Sequence, residues 1–352
     1  MQIYFSVIYR TAPVAEAGEI VSLDWNNKTV LNKAKIWPYN PDLEDPNPRG
    51  NTRGGRGITN RDGQIIVASY HSLHIYDYNL NFQRKISHPL FVNLHEIKST
   101  EDGCIWAAAT GIDAALKLNI DAQQPLIESY WPREHTLLQK SLSLEPLSID
   151  KESDNRGKFL SRQHAENESH THLNDLVIIN GDPFALLNKY GAVVNLVTGE
   201  IVINEPVGLR GAHNIVVDKD KHQLFINNTL QRAVHIYDLD TFSLIKVIAL
   251  KDSPPILDLV KDEFMPASSL WTFLSKANRS IFRKLFDRIG LSKNIPAMPL
   301  FVRGMALLDE YVFIGISPAS IIQFNWQTGQ LVDIYQYSED VKATIHGIQI
   351  IK

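Results

Sequence analysis

The sequence predicts an all-β fold, a six-bladed β-propeller, and three observations carry the prediction. Short strand-like runs recur along the whole chain, with turn residues roughly every 8–12 positions. The runs fall into groups of four, the number of strands in one propeller blade. The two chain ends, which form no complete group alone, together supply the four strands of one more.

Taken in order, the first group reads GRGITN, QIIVASY, SLHIYDYN and FQRKIS, over about 55–88. The second, third, fourth and fifth cover about 94–131, 174–206, 212–250 and 302–337. Third strands often end in an aromatic-Asp or similar pair followed by a turn, as in IYDYN, IYDLD and FNWQTG, the pattern of propeller blades. The C-terminal IHGIQIIK reads as a leading strand without followers, and IYFSVIY, GEIVSLDW and KTVLNKAKI as followers without a leader. Pairing them closes a sixth blade and removes free sheet edges. One propeller over 1–352 is therefore expected, in place of the two or three domains that length alone suggests. Two stretches fall outside the repeat. Residues 132–171 are polar and read as a long loop, while 251–300 hold an apolar stripe at helical spacing (Leu270, Phe273, Leu274, Ala277, Ile281) with basic residues beside it. That helix is expected to act as a lid, with partner or membrane-surface contact through 263–292 as the other use.

Composition narrows the function classes. A net charge of -4 leaves no basic surplus for a phosphate backbone, so nucleic acid is not an expected partner. The one cysteine, Cys104, rules out an internal disulfide and any CxxC site. With no apolar run of about 20 residues and no signal-peptide pattern, a cytoplasmic location and no transmembrane segment are expected. GxSxG, P-loop and HExxH motifs are absent.

The leading strands carry the functional signal. Each places a polar residue two positions before its first core aliphatic: Arg56, His95, Asn174, His213, Arg303 and His346. Leading strands line the central channel, so these six are expected to form a ring. The histidines fall on alternate blades, roughly 120° apart. Three neutral imidazoles converging in this way suit a divalent transition metal, zinc or iron before calcium. Arg56, Arg303 and Arg53 are then the groups to bind an anionic or polar small substrate. Tyr70 and His71 are acid/base candidates, and Asn174 orients a ligand or water. Glu96 and Asp175, one residue beyond the ring, are expected to point away from the channel by strand alternation. A metal-free anion pocket and a purely structural hydrogen-bonding ring remain open as readings of the same residues.

The HLND, AHNI and VRGMAL elements that open blades resemble those of bacterial propeller proteins of largely unassigned role. More distantly, the layout is similar to the gluconolactonase, paraoxonase and strictosidine-synthase-like group. That resemblance implies a site at the central channel, with hydrolases using calcium held by carboxylates and asparagines. Only Asn174 fits that ligand set here, and histidines stand where acidic ligands are expected. The leading expectation is a metal-assisted hydrolase, lyase or oxidoreductase; the alternative is a non-catalytic ligand-binding or protein-interaction scaffold.

Overall fold

The computed structural model describes residues 1–10, 12, 16–37, 54–159, 167–260 and 300–351. They form six four-stranded antiparallel sheets, each running from an inner to an outer strand. Blades 1 to 5 follow chain order, with inner strands Ile58–Arg61, Leu94–Ser99, Leu173–Ile179, Ala212–Asp218 and Arg303–Leu308. Blade 6 is built from both chain ends, Ala343–Ile351 lying innermost beside Gln2–Tyr9, Glu19–Asp24 and Thr29–Lys35. The expected fold and closure are both present.

The sequence pattern explains the hairpins. Asp77 and Asp238 each end a third strand, and each carboxylate accepts two backbone N–H bonds from the turn that follows. Asn195 accepts two such bonds with its amide oxygen, and Asn325 accepts one, from Thr328 N. The recurring Asp or Asn is therefore a turn-former that fixes the register of the outer strand. Middle strands such as Ile105–Ala109 are buried along their whole length, because neighbouring blades cover both faces.

The stretch expected as a long loop at 132–171 holds a short helix, Thr136–Leu142, whose Leu138 packs into the apolar core beside blade 3. Ser143 ends it in the left-handed conformation, its N–H returning to the Gln139 carbonyl. After blade 4 the chain makes one helical turn and a half, Pro254–Asp258. The basic amphipathic helix expected within 263–292, and Arg53, lie outside the described residues. No helix among the described residues is long and apolar enough to cross a membrane.

Candidate functional site at the channel mouth

Each inner strand is irregular at the same place. The pairing with its neighbour slips at His95–Glu96, at Asn174, at His213–Asn214, at Gly304 and at His346–Gly347. In blade 1, Ala68 bonds both Arg56 and Gly57, which gives the same two-against-one arrangement. These are β-bulges, which bend a strand and re-aim its side chains. They sit on the predicted ring.

The bulges bring three blades together across the axis. Arg303 Nη1 donates to His346 Nε2 at 2.5 Å and to His95 Nε2 at 3.2 Å. On the other side of the imidazoles lies Glu96, whose Oε1 is 3.1 Å from His346 Nδ1 and 3.6 Å from His95 Nδ1. The His95 and His346 ring centroids are 4.6 Å apart. Glu96 was expected to face away from the channel. The bulge breaks the alternation and turns it in.

His213 joins the group by ring contact, 5.5 Å from His95, but directs Nδ1 elsewhere: to Gly211 O at 3.0 Å and to Thr229 Oγ1 at 2.9 Å. Thr229 spends its own proton on Val302 O, so it accepts from His213. Asn174 donates to Ala212 O, and its buried Oδ1 makes no hydrogen bond among the described residues. Arg56 Nη1 donates to Leu94 O at 2.7 Å and also to Asn93 Oδ1, while its guanidinium lies 5.0 Å from the Tyr70 ring centre. His71 is buried, but its charged neighbours are Arg156 and Asp154 of the 132–171 stretch. Asp175 does face away from the axis, accepting from Ile215 N of the next blade at 3.0 Å and pairing with Lys98 at 3.1 Å.

Three groups that the sequence reading did not place in the ring also stand here. Phe301 lies beneath two guanidinium groups, Arg10 at 3.8 Å and Arg303 at 4.4 Å from its centre. His172 is driven down to about 3, by burial first and then by His170. Glu96 is the third. The readable signal for it is the residue after each ring position: Gly57, Glu96, Asp175, Asn214, Gly304 and Gly347. That column holds glycine at three of its six places and Glu, Asp or Asn at the others.

Burial sets the charges. It pushes His95, His213 and His346 well below the usual histidine range, with Arg303 and the neighbouring imidazoles adding to the effect. Burial, followed by Asp175, holds the Glu96 carboxyl well above its usual range, although Asn214 hydrogen-bonds it. Burial also works against the charged form of Arg303, and the charges of Arg10 and Arg56 add to this. Neutral nitrogen donors, one carboxyl group and a cluster of guanidinium groups thus share one mouth.

No family model and no curated protein matches this chain. Among solved structures it is similar to a protein of unknown function from Bacteroides caccae, with a TM-score of 0.56 at 9% identity, covering 99% of this chain and 97% of that one. The likeness shows the fold alone. It is also similar to the β-propeller domain of Myceliophteria thermophila Cps50 (Swd1), with a TM-score of 0.48 at 12% identity, covering 92% of this chain and 81% of that one.

Proposed function

We propose that the channel mouth is a metal-assisted site for a small anionic molecule. One observation carries the reading. His95 Nδ1, His346 Nδ1 and Glu96 Oε1 are buried atoms without a hydrogen bond among the described residues. The ligand atoms that His95, Glu96 and His346 offer lie within 4.8 Å of one another. An unsatisfied buried polar atom is costly, and three that converge fit one shared cation. Two imidazole nitrogens and a carboxylate oxygen suit zinc or iron(II), and suit calcium poorly.

When bound, such a metal supplies Lewis-acid chemistry, or in the case of iron redox chemistry. The chain's own residues do the rest. Burial keeps the imidazoles neutral, so each can take a metal by moving its one ring proton to the other nitrogen, with no net loss of a proton. Glu96, once ionised, offsets part of the metal's charge. Arg303 and Arg56 attract a carboxylate or phosphate on the substrate, and Tyr70 stacks against Arg56. Asn174 offers its buried Oδ1 to a ligand or a water.

The test is metal content by mass spectrometry on tag-free protein. About one equivalent of zinc or iron is expected, and it should be lost in Glu96→Gln and in His346→Gln. Retention in His213→Gln would confine the ligands to the His95, Glu96 and His346 trio, whereas loss would add His213. Absence of metal after reconstitution with zinc and with iron(II) would leave a metal-free polar pocket and defeat the proposal.

A further inference from the structure

The two nitrogens of each imidazole cannot be assigned independently. Arg303 has donors and no acceptor, so His95 Nε2 and His346 Nε2 must present lone pairs to it. In a neutral imidazole the other nitrogen then carries the proton. Both Nδ1–H groups therefore face Glu96 Oε1. A metal bound through Nδ1 needs the opposite tautomer. The proton then sits on Nε2 and points at an Arg303 N–H, donor against donor.

From this geometry we infer that Arg303 and the metal are alternative partners of the same two imidazoles, so that metal and a small oxyanion bind together. The inference rests on the metal reading above. Metal binding deprives Arg303 of both acceptors, and its Nε is already a buried donor without one among the described residues. It also adds positive charge beside Arg303, which already shares the Phe301 ring with Arg10. A carboxylate, sulfate or phosphate group removes both costs, because it accepts from a guanidinium and carries the opposite charge. Arg303 shares Phe301 with Arg10 and remains partly exposed. The oxyanion is therefore placed on the mouth side of the ring.

The probes are zinc, and sulfate against chloride at matched ionic strength. Sulfate should tighten zinc binding to the wild-type protein by roughly tenfold or more, and zinc should tighten sulfate binding by the same factor. In Arg303→Met, zinc should bind roughly tenfold more tightly than to wild type in chloride, and sulfate should have no effect. Equal zinc affinity in wild type and Arg303→Met, with sulfate indifferent in both, would overturn the coupling. No zinc binding by either protein would instead overturn the metal reading beneath it. A second measurement needs no variant. Nitrogen-15 spectra of the metal-free protein should show His95 and His346 protonated on Nδ1, moving to Nε2 when zinc is added. Protonation on Nε2 without metal would remove the basis of the inference.

Discussion

The ring of inner strands has two halves built in different ways. On blades 5, 6 and 1 the residue after the ring position is glycine: Gly304, Gly347 and Gly57. A Cβ on each would strike the backbone of the following blade. At Gly347 it would lie 2.4 Å from Arg56 O, and at Gly57 2.6 Å from Glu96 Cα and Ile97 N. On blades 2, 3 and 4 the same position holds Glu96, Asp175 and Asn214, and side chains join the blades instead. Asp175 receives Ile215 N and Asn174 reaches Ala212 O, both from blade 3 to blade 4, while Asn214 pairs with Asn227 inside blade 4. The glycine half brings backbones into contact and so fixes where His346 and Arg303 stand. The polar half links its strands through hydrogen-bonding side chains, and one residue of its column, Glu96, turns to the axis. Rigid placement comes from one half, and the carboxylate from the other.

If that division is right, the glycine half should tolerate least. Gly347→Ala puts a methyl group into backbone that has nowhere to move, and a loss of about 3 kcal/mol or more is expected. Chemical denaturation measures it; a loss under about 1 kcal/mol would show that the blades can separate there. In the polar half the damage comes from stranded partners. Asp175→Ala leaves Ile215 N, Leu176 N and Lys98 without their acceptor, at a cost on the order of 2–4 kcal/mol. Asp175→Asn keeps one acceptor oxygen and should recover part of that loss. Identical stabilities for the two variants would mean that the side chain's volume matters and its hydrogen bonds do not.

The same contrast explains what the sequence could reveal. The blades were legible because their signal is repeated: IYDYN and IYDLD mark the same hairpin in blades 1 and 4, and the structure gives Asp77 and Asp238 the same bonds. The ring was legible because six leading strands align on one core aliphatic. Glu96 was not, since strand alternation assigns it to the opposite face and a bulge is invisible to a two-residue period. Nor could the sequence show that Arg303 crosses from blade 5 to His95 on blade 2, the blade opposite. Such a contact depends on the channel's width rather than on any local pattern.

Blades 1 and 4 also carry matched buried histidines, His74 and His235, on their third strands. His74 has Ser72 Oγ within 3.1 Å, while both ring nitrogens of His235 lack a partner among the described residues. Burial lowers both, His74 to about 4. A histidine held neutral in the fold takes up a proton more readily when unfolded. Stability is therefore complete above about pH 6.5 and falls as the pH drops toward 4, by about 1 kcal/mol per pH unit for His74. Denaturation midpoints at pH 7 and pH 5 should separate less in His74→Gln than in wild type. An unchanged pH dependence would mean that His74 is solvated in the fold.

The smallest effect on stability is the most informative about the site. Glu96→Gln keeps the shape and removes the ionisable group, a carboxyl that burial holds well above its usual range. A carboxyl whose folded-state pKa is raised weakens the fold as the pH rises through that value, because the folded chain must then either keep a proton that water would take or bury a charge. Glutamine escapes both costs. The variant should match wild type within about 1 kcal/mol near pH 5 and equal or exceed it at pH 8, with metal absent. A loss of several kcal/mol in metal-free protein would show instead that the Glu96 charge is a structural partner of the two imidazoles. Glu96 would then belong with Asp175, as a strut of the polar half, and the candidate metal trio would lose its anionic member.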